Sequence, residues 1–301
     1  MSPANVSTVI DLLESKDISW ALYQEDMPFS GYEGNDFFNL QDGSNDYVRR
    51  HNPAVMHNSV ASSEQRLSQI KNLSMIDPSR SLFHRDLEAN ALPQWLFITP
   101  NFTSDGHDSS VTVAGEWCRD FLEPLIQDDR FNNRTLVFIT WDETEVYASR
   151  NRVLGILLGD VVPQELVGSE DGNFYNHYSA ISTVSANWDL PTLGRWDVGA
   201  NVFGFVANVT GDEVRPWTSD PPPEDWAWNT SYDGLFHKPG GNHDLPSPNL
   251  GLDDNHSKRP ILPCIQDFWR ASNAPTYYTD DIHPFDGTRP PPGFAPVNET
   301  G

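Results

Sequence analysis

Positive charge is what this chain has least of. Its 301 residues hold 19 Lys and Arg against 43 Asp and Glu, a formal charge of −24 at neutral pH. Such a surface repels nucleic acid and anionic membranes, and no basic run reverses its sign, so neither is expected as a partner. Cysteine is nearly absent. Cys118 and Cys264 allow one disulfide or two buried thiols, but no disulfide framework. No run of 18 apolar residues occurs, so no helix spans a membrane. The first residues, Met1-Ser2-Pro3-Ala4-Asn5, have neither the basic start nor the apolar core of a signal peptide.

What is present supports a globular fold. A hydrophobic content of 38%, with 12% aromatic residues, is ample for a core. The acidic balance, with a pI near 4.5, suits a protein that works in acid, where protonation of carboxylates relieves self-repulsion. Eight Asn-x-Ser/Thr sequons occur, at Asn5, Asn72, Asn101, Asn133, Asn208, Asn229, Asn255 and Asn298. Roughly three would arise by chance, so the excess favours a glycoprotein with a secretory history, secreted or held in a cell wall. With no leader in the chain, a preceding segment is expected.

Two short apolar runs organise the rest: Trp95-Leu96-Phe97-Ile98-Thr99 and Leu136-Val137-Phe138-Ile139-Thr140. Both are rich in β-branched and aromatic residues and too short for helices, so each reads as a buried strand. The segment between them has helical spacing, with Ala114, Trp117, Phe121 and Leu125 facing inward, which predicts one βαβ unit and parallel neighbours. A third strand is expected over 153–160. Ligands of such sheets sit beyond the carboxyl ends of the strands. Here those ends carry Asp105-Gly106-His107-Asp108 and Asp142-Glu143. The start of the intervening helix is suited to an oxyanion, or is simply capped by Asp108 or Ser109.

Elsewhere, residues 5–23 predict a helix and a strand, the latter ending at Gln24-Glu25-Asp26 on what is expected to be the same edge. Arg49-Arg50-His51 stands in a Gly-, Asn- and aromatic-rich stretch, as a source of charge for an anionic ligand or as a solvated loop. Residues 63–92 read as two covering helices about Asp77-Pro78, with Leu67, Ile70 and Leu73 on one face and Phe83, Leu87 and Leu92 later. Asn176-His177-Tyr178-Ser179 opens a helix whose apolar face is Tyr178, Ile181, Val184 and Trp188. Beyond about Val206 the character changes. Fifteen of the 24 prolines lie between Pro216 and Pro296, which predicts an irregular tail over 207–301 after a domain over 1–206. His243-Asp244 and Asp253-Asp254-His256 imitate metal ligands there and read as loop.

Adjacent carboxylates at one strand end and a His-Asp pair on a neighbouring loop suit a divalent cation and the oxygens of a phosphate. In acid the imidazoles are cations, able to bind a phosphate oxygen or to protonate a leaving alkoxide. Phosphate-ester hydrolysis is the chemistry these residue types allow.

Several blocks carry a resemblance: Trp95-Leu96-Phe97-Ile98-Thr99-Pro100-Asn101, Ser104-Asp105-Gly106-His107-Asp108, Phe121-Leu122-Glu123-Pro124-Leu125 and Thr140-Trp141-Asp142-Glu143-Thr144. Earlier and later come Trp20–Pro28, Arg50-His51-Asn52-Pro53-Ala54, Asn176-His177-Tyr178-Ser179 and Gly194–Asn201. In this order they resemble the fungal secreted acid phosphatases of the phosphoesterase family, which also includes bacterial phospholipases C. The resemblance covers about residues 3–206.

It implies a three-layer α/β/α sandwich similar to alkaline phosphatase, acting on small phosphate monoesters at acid pH through a hydroxyl nucleophile beside a carboxylate cluster for a divalent metal. Carried over residue by residue, Asp142 and Glu143 match the metal-type acidic pair and His107 and Asp108 the His-Asp element. His51 and His177 are second-tier matches. Trp141 stands where many relatives have Phe. The family's opening strand, ending in a Glu-Asn pair, and its Ser or Thr nucleophile would both precede this sequence, so the fold is expected to lack its first strand and the isolated chain to be inactive or nearly so. Two rivals are a phospholipase C-type phosphodiesterase and a non-catalytic member that binds a partner or the cell wall.

Overall fold

The computed structural model describes residues 2–3, 5–39, 43–145, 151–216, 231–232, 245–252, 259–272, 274–280, 283–285, 287 and 296–297. His243, Asp244, Asp253, Asp254 and His256 lie outside them, as do Asn229, Asn255 and Asn298. In chain order the elements are α1 (Val9–Glu14), β1 (Trp20–Glu25), β2 (Asp36–Phe38), β3 (Asn45–Val48), α2 (Asn58–Ala61), α3 (Glu64–Leu67), β4 (Ile70–Leu73), α4 (Leu82–Glu88) and β5 (Trp95–Thr99). Then follow α5 (Val111–Ile126), α6 (Asp129–Asn132), β6 (Val137–Thr140), β7 (Gly155–Leu158), α7 (His177–Trp188), α8 (Gly204–Thr210), β8 (Ser231–Tyr232), α9 (Pro263–Trp269) and β9 (Pro296–Val297). The chain divides into one unit of residues 1–6, 17–138 and 157–167 and a second of 7–16, 139–156 and 168–301.

The first unit is mixed α/β and built on a parallel sheet of order β4-β1-β5. Leu22 sits opposite Ile70 on one side and Phe97 on the other. As the middle strand, β1 is buried at every position, the polar Gln24 and Glu25 included. Leu22, Tyr23, Ile70, Leu73 and Phe83 are all nearly or wholly inaccessible. Removing such side chains from water contributes about 1.5–3 kcal/mol each. Tyr23 meets Phe83 edge to face at 5.2 Å, and its hydroxyl donates to Asp86, which also receives the Lys71 ammonium at 2.7 Å.

The strands at 95–99 and 136–140 both form, but not as neighbours. β5 is hydrogen-bonded to β1, and β6 pairs with β7 in a separate two-stranded sheet. A central parallel strand must be apolar on both faces, and β1 meets that requirement better than β6. β5 and β6 are also half-buried rather than buried, with Phe97 40% and Phe138 37% exposed. Ile70 and Leu73 belong to a strand, not a covering helix. α3 ends at Leu67, after which the backbone of 70–73 pairs with β1, and the i, i+3 spacing of Leu67, Ile70 and Leu73 only imitates a helical face.

α5 forms as expected, with Ala114, Phe121, Leu122 and Leu125 buried. Its cap is Ser110, whose hydroxyl accepts from the Val113 N–H, rather than Asp108 or Ser109.

In the second unit, Asn176 caps α7 in a reciprocal capping box with Ser179. The buried face of this helix is not the one expected. Ser179, Ser182, Thr183, Ser185 and Ala186 are buried, because small side chains let neighbouring backbone approach. Ser182 donates to carbonyls of Tyr178 and Asp197, and Thr183 Oγ1 accepts from the Phe203 N–H at 3.0 Å. Residue 206 lies within α8. The described residues beyond it have little regular structure apart from α9, yet Leu252, Ile261, Leu262, Ile265, Trp269 and Tyr278 are buried. Ile261 bridges to Thr192, and Arg259 meets Asp212 through two bonds of 2.8 Å. Cys118 and Cys264 are both free thiols. No described helix is long and apolar enough to cross a membrane.

Candidate functional site

The carboxyl ends of β1 and β5 open onto a depression lined by Gln24, Glu25, Asp46, His51, Thr99 and Phe102. Each group arrives for a local reason. β1 and β5 run in register, so Gln24 stands beside Thr99 and donates to its hydroxyl at 3.0 Å. β3 passes into a 3-10 turn over Arg49–His51. That turn separates its three basic-type residues: Arg49 turns back to the carbonyls of Glu33 and Val55, while Arg50 and His51 face the loop that follows β5.

Asn101 holds that loop. Its side-chain oxygen accepts from the N–H groups of Thr103 and Ser104, and its amide donates to Asp26 at 2.9 Å. Gly106, with φ +96°, takes a backbone conformation unfavourable to residues with a Cβ. It thereby brings the His107 N–H onto Asp105 Oδ1 at 2.8 Å. The other oxygen of Asp105 bonds His51 Nδ1 at 2.9 Å. Asp105 thus orients the His51 ring. Phe102, 7% exposed, is the apolar centre of the group. Its ring lies 4.2 Å from His107 and 5.2 Å from His51, with the Arg50 guanidinium 5.1 Å away. His51 and His107 are 5.7 Å apart. Two imidazoles and a guanidinium thus gather on one ring, on a chain whose net charge is negative.

Beneath this patch lies Glu25, 4% exposed. Its Oε2 accepts from the Asn101 N–H at 2.8 Å and its Oε1 from the Trp117 indole at 2.9 Å, and the Ser104 hydroxyl bonds the same carboxyl group. Burial, the largest influence, pushes this carboxyl up to about 7. The Asn101 N–H, the Trp117 indole and Ser104 pull the other way, and the Asp26 charge adds to the rise.

Of the residues expected to form a site, His51 and His107 come together in the first unit. Asp108 follows them there, exposed, with its backbone N–H on the Phe102 carbonyl. The His-Asp hydrogen bond is made by His51 and Asp105. Asp142, Glu143 and His177 belong to the second unit, where all three are exposed. Asn151 braces the turn after β6 through the Asp142 carbonyl and the Thr144 N–H, and His177 is the first residue of α7. Among the described residues, no three His, Cys, Asp or Glu side chains group as ligands for a metal ion. The two adjacent carboxylates, Asp142 and Glu143, do not make such a site by themselves. The sequence places Asp105 and Glu25 at the ligand edge without giving either a role, and gives no sign of Phe102. The local signal for Glu25 is the polar pair Gln24-Glu25 ending a strand that is apolar up to Tyr23.

The phosphoesterase family model matches residues 1–191. A probable acid phosphatase of Kluyveromyces lactis is 43% identical over 282 residues, covering 92% of this chain and 63% of that protein. An acid phosphatase of Aspergillus fumigatus is 48% identical over 209 residues, 69% of this chain and 45% of the relative. A phosphatidylinositol-3-phosphatase of Mycobacterium tuberculosis is 26% identical over 148 residues, covering 49% and 44%. The chain therefore spans between about two fifths and two thirds of the length of the curated relatives it matches. No solved structure matches it. With the model covering well over half of its residues, the chain belongs to the phosphoesterase family.

Proposed function

We propose that this chain carries part of an acid phosphatase-type hydrolase, and that Arg50, His51 and His107 hold the oxyanion of a small phosphate ester at the carboxyl end of the parallel sheet. The observation that carries the proposal is the convergence of these three groups on Phe102, with Asp105 fixing the His51 ring, in a chain 43–48% identical to fungal proteins named acid phosphatases. An imidazole can donate hydrogen bonds to an oxyanion and pass a proton. Binding through such groups offsets the charge of the ester oxygens; as an attacking water oxygen bonds to phosphorus, a proton passed to the leaving oxygen lets the ester P–O bond break, giving an alcohol and inorganic phosphate.

The proposal extends to an α/β/α sandwich similar to alkaline phosphatase, with residues 1–206 as its phosphoesterase part, and to a protein that is secreted or held in the cell wall. Asp142, Glu143, Asp108 and His177 stay in it as residues the family resemblance singles out.

The test is binding of inorganic phosphate to the chain at pH 5 by calorimetry. Arg50→Ala and His51→Ala should each weaken binding on the order of tenfold, the worth of one charge-assisted hydrogen bond. Equal affinity in both variants and the parent would overturn the assignment.

A further inference from the structure

One acidic group in the depression has no part in the oxyanion site just described. Glu25 lines it beside His51, and its carboxyl group is gripped from two directions. The loop after β5 supplies the Asn101 N–H and the Ser104 hydroxyl, and α5 supplies the Trp117 indole. The titratable and charged groups around it are Asp26, next in the chain, then Asp46 and Tyr47 of β3, and His51 of the turn that follows. His51 in turn holds Asp105. The contribution from α5, Trp117, is uncharged. Glu25 therefore shares the depression with His51, one of the three groups assigned to the anion.

We propose that Glu25 confines oxyanion binding at this site to acid: carrying its proton it is a neutral hydrogen-bonding wall, and having lost it, it sets a buried negative charge against the bound anion. The inference rests on the assignment of the Arg50, His51 and His107 cluster as the oxyanion site. In the neutral state the satisfied geometry persists, because one oxygen still accepts from Trp117 while the acid proton is directed to the Ser104 oxygen. In the ionised state the charge has no cationic partner among the groups just named except His51, which is already committed to Asp105. Burial drives Glu25 to titrate near neutrality rather than in the usual carboxylate range, so the change of state falls between the acid in which the site works and the pH at which it closes.

The test uses sulfate, whose own charge is constant over the range, with binding to the whole chain measured by calorimetry at pH 5 and pH 8. Parent and Glu25→Gln share every other group of the site, so the ratio between them isolates Glu25. The expected ratio of dissociation constants is near one at pH 5 and on the order of tenfold at pH 8, for one unit charge at short range in a partly buried setting. A ratio equal at the two pH values overturns the role of Glu25. In a second variant, Trp117→Phe, the ionised carboxylate loses a donor, so the pH midpoint of sulfate release should move upward; an unmoved midpoint overturns the proposal even if Glu25→Gln fails to fold. Failure of the underlying assignment looks different. There, the parent binds no sulfate at pH 5, or binds it as well with Arg50→Ala, and the inference falls with the assignment.

Discussion

The Trp117 indole donates to Glu25 Oε1 at 2.9 Å, joining the first half of α5 to the last residue of β1 across 92 residues of sequence. This bond favours the ionised carboxylate, and burial overrides it. The folded protein thus holds a proton on Glu25 that the unfolded chain has already released.

The sign of the stability effect follows. With the folded value raised from 4.5 to about 7, the contribution is fully present below about pH 4.5, declines as pH rises and is lost above about pH 7. Its size is on the order of 3 kcal/mol. Urea unfolding at pH 5 and pH 8 should show a fall of that order in the parent and a clearly smaller one in Glu25→Gln.

Asn101 ties Asp26 to the loop of Thr103 and Ser104 through three side-chain bonds. Asn101→Ala should cost about 1–3 kcal/mol, the penalty of leaving such groups unpaired. Phosphate affinity at pH 5 should fall with it, since Phe102, Asp105 and His107 are carried by the same loop. Comparing denaturant midpoints with calorimetric affinity checks both.

Asp105→Asn keeps the shape of the side chain but removes the charge facing His51. The ring loses its orienting carboxylate, and phosphate binding at pH 5 should weaken on the order of tenfold. Circular dichroism should show the fold unchanged.

In the second unit, Asp212 and Arg259 form a two-bond ion pair with each side chain about 10% exposed. Asp212→Ala should destabilise by roughly 1–3 kcal/mol, because the buried guanidinium loses both of its bonds to this carboxylate. A thermal melt read by tryptophan fluorescence measures it.

Chelation makes a separate prediction. Arg50, His51 and His107 are assigned to bind the anion directly through their side chains, so phosphate binding by this cluster should survive EDTA with less than a twofold change. A larger loss would show a metal ion to be part of that site.

What the sequence made legible was local. The strands at 95–99 and 137–140, the helix that begins after Ser110 and the capping of α7 by Asn176 all follow from apolar runs and cap residues within a short window. What it hid was remote. The partner of β5 is β1, some 75 residues upstream, and no pattern inside 95–143 could announce it. His51 and Asp105 are 54 residues apart, so the nearer His107-Asp108 stood out as the His-Asp element. Ile70 and Leu73 were misassigned because three-residue spacing is shared by a helical face and by a short strand whose two ends alone are buried. Glu25 went unweighted because the cause of its altered acidity is enclosure, which only the packed sheet supplies.

The Ser- and Thr-lined face of α7 inverts the usual map of mutational tolerance. On most helices the inward positions accept apolar residues and reject polar ones. Here volume sets the limit. Ser185 is 2% exposed, and its hydroxyl has no hydrogen-bond partner among the described residues, so Ala should be accepted at no cost, while Leu, though more hydrophobic, would force the neighbouring backbone away. A library scored by hydropathy would rank those two substitutions in the wrong order.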